Sequence, residues 1–365
     1  MPNLADLKLS YNGGLGGNTG MWAASLQRMM HLKSLDLSSC GINEQDLSQI
    51  ASSVGKMPNL ANLGLFLTWR LVGKAGTWAA SLQRMMHLKS LDLSSCGINE
   101  QDLSHIASSV GKMPNLADIN LSWNEGLGGH AGTWAACLQK MIHLKSLKLL
   151  QCDINAQDIP HIASSVGKMP NVANLNLSQN SKLGGNAGTW AVSLLSMVHL
   201  KKLDMQNFRI NSRDLKYIAE SVSRMRNLVD CDFSSDSEVW RVQSGVNGIE
   251  LSIKRFSLTI KDMTDVLQSF TNRRDLVRLT IDGVRGMGGS ASIWIPLLQN
   301  LTDLQELELS DCSLHCTDVE HLAAALSQMQ NLADLNLSEI RTWVVTPESI
   351  WIPLLQNLKE LQKLE

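Results

Sequence analysis

Residues 1–224 are four consecutive copies of one 56-residue sequence, which open at Met1, Met57, Met113 and Met169. Each copy holds two lines of the form LxxLxL at a 28-residue spacing, and the first of these lines is Leu4, Leu7 and Leu9. A strand–helix unit of this length cannot bury its own apolar face, so it must stack on its neighbours. The chain is therefore predicted to fold as a solenoid that presents a long surface to a partner.

Two types of 28-residue repeat alternate along the chain. A-type repeats carry a glycine-rich loop and then a helix led by tryptophan, as at Trp134, whereas B-type repeats carry Cys-x-Ile-Asn before their helix, as at Cys96. Leucines at alternate strand positions point to one side, because the side-chain period of a strand is two. We predict an α/β horseshoe with parallel strands on the concave face and α-helices on the convex face.

Residues 1–365 are predicted to form a single domain of about 13 such repeats. Strand openings recur with the 28-residue period from Leu4 to Leu228 and resume at Leu276, which leaves a shortened, irregular repeat near residues 228–248. We expect the helix of this repeat to be missing or reduced to a turn, and Trp240 to cover the gap.

The strand lines resemble those of the leucine-rich repeat family, whose pattern is LxxLxLxxN/CxL. Leu88, Leu91, Leu93 and Cys96 match it. The alternation of Asn-type and Cys-type repeats, each with a full helix, resembles the ribonuclease-inhibitor class of this family. The strands that end in Leu-Ser and the helices that are rich in Trp and Met resemble the C-terminal sensor region of NOD-like receptors. This resemblance implies a ligand-recognition module of an immune receptor. The alternatives are a stand-alone inhibitor or scaffold, or a fragment of a ubiquitin-ligase substrate receptor.

Bulk composition excludes several classes of partner. The net charge of −2 and the pI near 6.5 provide no basic footprint for nucleic acid. No apolar run approaches the roughly 20 residues that span a membrane. The absence of a signal peptide and an odd number of cysteines, seven, predict a cytoplasmic protein with reduced thiols. The repeat pattern continues to both ends of the sequence without a capping segment, so we expect a fragment of a larger protein.

No catalytic, cofactor or metal site is predicted. The glycine-rich loop at Gly14 and Gly16 lies where a dinucleotide fingerprint would lie, but its spacing differs and it recurs in other copies, which favours a turn. Four residues could be counted as zinc ligands: Cys312, His315, Cys316 and His321. The repeat, however, places Cys312 inward and His321 on the outer helix.

Tryptophans fall into two sets. One equivalent position in the A-type helices predicts a buried column: Trp22, Trp78, Trp134, Trp190, Trp294 and Trp351. Three others break register and are candidates for exposed anchors: Trp69, Trp123 and Trp343. Helix N-caps are predicted at Thr77, Thr133 and Thr189 in A-type repeats, and at Asn99 or a neighbour in B-type repeats.

Differences between the copies indicate a surface. Residues 22–56 and 78–112 differ only at Gln49 and His105, yet residues 4–20 and 60–76 differ at many outward strand and loop positions. Chance or separate exon ages, and diversification of a binding surface, both explain this. Concave positions hold more acidic than basic residues, which favours a protein or peptide partner that is basic. The predicted contact patch is Tyr11, Phe66, Trp69, Trp123, Asp36, Asp92 and Asp118.

Overall fold

A computed structural model describes residues 4–284, 287–338 and 362–364. The chain divides into two compact regions. The first region comprises Met1–Lys182 with Ser196–Leu203, and the second comprises Leu183–Leu195 with Asp204–Glu365. Trp343 and Trp351 lie outside the described residues.

The first region repeats a three-residue strand followed by a helix. Its strands are β1 (Asp6–Lys8), β2 (Ser34–Asp36), β3 (Asn62–Gly64), β4 (Ser90–Asp92), β5 (Asp118–Asn120), β6 (Ser146–Lys148) and β7 (Asn174–Asn176). Its helices are α1 (Thr19–Leu26), α2 (Glu44–Val54), α3 (Ala75–Leu82), α4 (Glu100–Val110), α5 (Ala131–Leu138) and α6 (Asp158–Val166). A short 3₁₀ turn precedes each A-type helix, as at Glu125–Leu127 before α5.

Strand pairing follows the repeat period. Each strand from β1 to β6 pairs in parallel with the next, and paired residues hold equivalent places in successive repeats, as Leu63 and Leu91 do. Both of these leucines are buried, because the central residue of each strand faces the helices. The predicted alternation of parallel strands with helices is confirmed.

The helix N-termini are capped in two different ways. In B-type repeats Asn43 and Asn99 form capping boxes with Asp46 and Asp102, as predicted for Asn99. In A-type repeats the predicted threonine caps are wrong. The helix α3 begins two residues before Thr77, and the Thr77 hydroxyl donates to the Lys74 carbonyl at 2.7 Å. The equivalent hydroxyls of Thr133 and Thr189 donate in the same way to His130 and Asn186.

The cap of each A-type helix comes instead from the repeat that follows it. The buried Asp102 carboxylate accepts hydrogen bonds from the backbone N–H groups of Gly73 and Ala75, at 3.1 and 3.0 Å. Asp158 binds Gly129 and Ala131 in the same way, at 2.7 and 2.9 Å. A carboxylate at this position satisfies the free N–H groups of the helix and its positive dipole end, so it joins adjacent repeats.

The second region contains the following elements. Its helices are α7 (Ala187–Trp190), α8 (Ser212–Arg224), α9 (Ile260–Phe270), α10 (Ala291–Trp294) and α11 (Cys316–Leu326). Strand β8 (Lys202–Asp204) divides between the two regions; the others are β9 (Asp230–Asp232), β10 (Val239–Ser244), β11 (Ile249–Lys254), β12 (Leu276–Asp282), β13 (Glu306–Ser310), β14 (Asp334–Asn336) and β15 (Lys363–Leu364). None of the helices in the described ranges is long and apolar enough to cross a membrane.

The irregular repeat near residues 228–248 contains a β-hairpin in place of a helix. β10 pairs antiparallel with both β9 and β11, so the prediction that every strand is parallel is wrong here. Trp240 on β10 is fully buried, and its ring packs edge-on against Phe233 at a centroid distance of 5.3 Å and near Phe270 at 6.3 Å. Aromatic side chains fill the space that a helix would otherwise occupy.

The tryptophan column is buried at four described positions. Trp78, Trp134, Trp190 and Trp294 are all buried, and each indole N–H donates to a backbone carbonyl seven residues earlier. Trp22 departs from the prediction because it is only half-buried. Its helix α1 packs on α2, whereas α3 packs on both α2 and α4.

Cysteines of the B-type repeats line the interior. Cys96, Cys152 and Cys312 are buried, and each thiol donates to the carbonyl of a residue in the preceding repeat, as Cys96 does to Leu65 at 3.1 Å. Burial raises the pKa of each of these three thiols to about 12, because the thiolate would lose its hydration. They remain neutral at physiological pH.

These thiols predict a loss of stability at alkaline pH. In the unfolded chain the Cys96 thiol ionises near its ordinary pKa of 9.0, but in the folded chain only near 12. Its contribution to the free energy of unfolding is therefore complete below pH 9 and is lost as pH rises towards 12, by about 1.4 kcal/mol per unit at most. Urea unfolding of the wild type and Cys96→Ala between pH 8 and 10.5 measures this. Equal pH slopes for the two proteins would contradict it.

Candidate functional site

The candidate site lies on what we call the strand face. Positions in each repeat are counted from its strand-opening residue, so that Leu4 is position one of the first repeat. The strand face comprises the side chains that flank the buried central residue of β1–β7, together with the residues at the seventh and eighth positions. Strand pairing arranges these side chains in rows. The fifth-position row, in strand order, is Lys8, Asp36, Gly64, Asp92, Asn120, Lys148 and Asn176. This surface lies entirely within the first region.

The eighth residue of each repeat has a left-handed backbone. In the fourth A-type repeat this residue is Gln179, and in the first three A-type repeats these residues are Tyr11, Leu67 and Trp123, with φ of 64°, 57° and 62°. Their backbone N–H groups donate to the carbonyls of Ser38, Ser94 and Leu150 on the following repeat, at 2.9, 3.0 and 2.8 Å. Since these hydrogen bonds are part of the repeat, the fold imposes the left-handed turn whatever residue occupies the position.

Three bulky apolar side chains in this column are exposed. Tyr11 is 72% exposed, Leu67 37% and Trp123 45%. They belong to repeats two strands apart, so neighbours in the column are about 9.6 Å apart at 4.8 Å per strand. The intervening B-type repeats have Ser39 and Ser95 at the same position. The result is an apolar column, which we call the Tyr11–Leu67–Trp123 column.

The remaining predicted aromatics lie outside this column. Phe66 directly precedes Leu67 and is half-buried at a seventh position, where its neighbours Ser38 and Ser94 are serines. The backbone of Trp69 lies in the 3₁₀ turn Trp69–Leu71, and its side chain is outside the described part of the structure.

The three predicted aspartates lie in two rows. Asp36 and Asp92 share the fifth-position row on either side of Gly64, whereas Asp118 is exposed in the third-position row on β5. The Asp36 carboxylate accepts from the Ser38 backbone N–H at 2.9 Å, and Asp92 accepts from the Ser94 N–H at 2.8 Å. Each of these two carboxylates thus also supports the turn that follows its strand.

Leu67 is the residue that the predicted contact patch omitted. The 56-residue spacing of Tyr11, Leu67 and Trp123 in the sequence indicates that Leu67 shares their position in the repeat. The predicted patch includes Phe66, one residue earlier, because of its aromatic ring. In the structure the register of the left-handed turn, and not ring chemistry, aligns Leu67 with Tyr11 and Trp123.

The second region has a polar depression on its own strands, with a volume of about 190 Å³. Arg278, Glu306, Glu308 and Asp334 are among its lining residues. Arg278 pairs with Glu306 and lies 3.9 Å from the Glu250 carboxylate, so much of its charge is balanced internally. Among the described residues, no three His, Cys, Asp or Glu side chains are placed to hold a metal ion.

Two segments of the chain, residues 28–51 and 84–107, match the family model described as a leucine-rich repeat. A solved structure, the TLR13–ssRNA13 complex, aligns with the whole of this chain and 47% of that one, with a TM-score of 0.54 at 14% identity, which is a likeness of fold alone. The fold is a leucine-rich-repeat solenoid.

Curated relatives of this leucine-rich-repeat chain include two ribonuclease inhibitors. It is 24% identical over 335 residues to the ribonuclease inhibitor of Sus scrofa and 26% identical over 335 residues to that of Mus musculus. Each alignment covers 87% of this chain and 72% of the relative. The similarity extends well beyond the two segments that match the family model.

Proposed function

We propose that this chain is a protein-recognition module, and not an enzyme, which binds a protein or peptide ligand on its strand face. The observation that carries the proposal is the Tyr11–Leu67–Trp123 column, because it combines exposed apolar area with an unfavourable backbone. Phe66 and Trp69 of the adjoining loop, with Asp36, Asp92 and Asp118, complete the proposed contact patch.

The energetic argument concerns the left-handed residues. A left-handed conformation costs a residue with a side chain roughly 1–2 kcal/mol, and glycine or asparagine avoids much of this cost. B-type repeats make the same turn with Ser39 and Ser95. Folding alone therefore does not require Tyr11, Leu67 or Trp123 to be large and apolar. Large side chains at a rigid, exposed turn supply contact area to a ligand at low entropic cost.

The chemistry of the partner follows from the charges around the column. The strand face of β1–β7 holds the carboxylates of Asp6, Asp36, Asp92 and Asp118 but only two lysines, Lys8 and Lys148. Complementary charge would steer a basic protein or peptide to this face and would disfavour nucleic acid. We propose a basic segment that also carries apolar side chains to contact the column.

The biological setting that we favour is the sensor region of a cytosolic NOD-like receptor, on the basis of the Leu-Ser strand ends and the Trp- and Met-rich helices. Similarity to two ribonuclease inhibitors supports a second candidate, a stand-alone inhibitor or scaffold. Ribonuclease assays with added chain distinguish the two. Stoichiometric inhibition would favour the inhibitor, whereas unchanged ribonuclease activity would leave the receptor module.

Trp123→Ala is expected to weaken binding of a basic peptide selected from a display library by about 30-fold, because truncation of an interface anchor costs roughly 2 kcal/mol. The melting temperature should change little, since Trp123 is 45% exposed. Calorimetric titration of the selected peptide measures the affinity.

Tyr217→Ala is the matched control for this experiment. Tyr217 is an aromatic residue of α8 and is 44% exposed, but it lies on a helix and not on the strand face. Its removal should leave the affinity unchanged. A selected peptide that binds Trp123→Ala as tightly as the wild type would refute the proposed site.

A further inference from the structure

A second surface of opposite charge lies at the C-terminal ends of α8 and α9, within the second region. It is an open pocket of about 520 Å³ whose lining includes four arginines, Arg224, Arg226, Arg273 and Arg274, and one acid, Asp275. This concentration of positive charge contrasts with the net charge of −2 of the whole chain. The proposed function makes no use of it.

The pocket is open because the irregular repeat lacks a helix. In regular repeats the loop after an A-type helix covers the turn that follows the B-type helix: a ring nitrogen of His87 lies 2.8 Å from the Gly55 carbonyl oxygen. That packing is close, since a Cβ added to Gly55 would lie 2.4 Å from the Arg84 carbonyl oxygen. Between α8 and α9 the hairpin β10–β11 replaces the A-type helix and its loop, and the two helices pack directly on each other.

Arg273 occupies the gap that the missing loop leaves. In the repeat grid it stands where the earlier copies have the buried Met57, and it remains buried at 8% exposure. Its guanidinium binds both carboxylate oxygens of Asp275, at 2.7 and 2.8 Å, and reaches the carbonyls of Ser223 and Met225 at 3.5 and 3.4 Å. Hydrogen bonding to Arg273 lowers the pKa of Asp275, so this pair is fixed in its charged form.

The charges of the other three arginines are balanced weakly or not at all by ion pairs within the described part of the chain. Arg226 and Arg274 both stand where the four copies have proline, as at Pro58, Pro114 and Pro170. Both are exposed, and neither has an ion-pair partner among the described residues. Arg224 has one weak partner, Glu220, at 3.7 Å across two largely exposed side chains. Three guanidinium groups thus surround a pocket that contains one already neutralised carboxylate.

We propose that this pocket binds a small ligand that carries a diphosphate or two phosphate groups. Guanidinium groups bind phosphate oxygens in bidentate pairs, and several of them around one cavity favour a multiply charged anion. The volume lies in the range of small-molecule sites. Arg273, which is buried and paired with Asp275, holds the two turns together and leaves the charges of Arg226 and Arg274 unpaired among the described residues.

Titration with inorganic pyrophosphate tests the proposal. The full chain is expected to bind it, with sulfate binding more weakly because of its lower charge. Arg226→Gln and Arg274→Gln should each weaken binding by about tenfold or more, since each removes a charge-assisted hydrogen bond. Both residues are exposed, so both variants should keep the melting temperature of the wild type.

Arg28→Gln is the matched control, because Arg28 is also exposed but lies in the first region, away from the pocket. Unchanged pyrophosphate affinity in this variant supports the site. The proposal fails if pyrophosphate does not bind, if Arg28→Gln weakens it as much as Arg226→Gln does, or if a triglutamate peptide binds more tightly than pyrophosphate. These results do not depend on the strand face, so failure here leaves the proposed function standing.

Discussion

Trp78→Ala is expected to lower the free energy of unfolding by about 3–5 kcal/mol, the range for truncation of a buried aromatic side chain. Trp78 is 1% exposed in α3, which packs on both α2 and α4, and its indole N–H donates to the Leu71 carbonyl at 3.2 Å. Alanine would leave a cavity between helices and remove the indole hydrogen bond. Urea unfolding followed by tryptophan fluorescence and circular dichroism measures the loss.

Two other tryptophans provide graded controls for Trp78→Ala. Trp123→Ala should cost less than about 1 kcal/mol, because its side chain is largely on the surface. Trp22→Ala should fall between the two, since Trp22 is half-buried in α1 and its indole N–H donates to Leu15 at 3.1 Å. If Trp123→Ala destabilised the chain as much as Trp78→Ala, both the core column and the exposed anchor would be wrong.

Asp102→Asn is expected to cost about 2–4 kcal/mol although it changes only one atom of a buried side chain. The Asp102 carboxylate accepts from the N–H groups of Gly73, Ala75 and Asn99, at 3.1, 3.0 and 3.4 Å. An amide removes the charge and can turn an NH₂ group towards these donors, which leaves buried N–H groups unsatisfied. Chemical unfolding monitored by circular dichroism measures the effect.

Gln101→Ala separates this effect from helix propensity. Gln101 is the exposed neighbour of Asp102 in the first turn of α4, so its replacement should change stability by no more than about 0.5 kcal/mol. Comparable stability of Asp102→Asn and Gln101→Ala would show that the carboxylate does not join the repeats.

The repeat period determined most of the architecture. Because copies of one sequence must make equivalent contacts, a 28-residue spacing implies strands paired in register at that spacing, as with Leu63 and Leu91. Burial of Cys312 and Trp134 followed from the same argument. Asn99 was predictable as a cap because its acceptor serves N–H groups only two and three residues away.

Local sequence could not reveal interactions that cross repeats. Thr77 resembled an N-cap, but the cap of α3 is the Asp102 carboxylate, 27 residues beyond Ala75. The hairpin at β10 was equally hidden, since the residues between Phe233 and Gly248 match no repeat and their pairing depends on the aromatic packing around Trp240. In the first case the partner is distant in the chain, and in the second the hairpin has no counterpart in the other repeats.

The two candidate sites likewise depend partly on the repeat period and partly on contacts that only the folded chain shows. The repeat period places Tyr11 and Trp123 at one position of the repeat, because their separation is two full copies of the 56-residue sequence. The folded chain alone shows that this position is a left-handed, exposed turn, since its hydrogen bonds reach the following repeat. It also shows that Arg226 and Arg274 line one pocket, because a helix missing between α8 and α9 brings their two turns together.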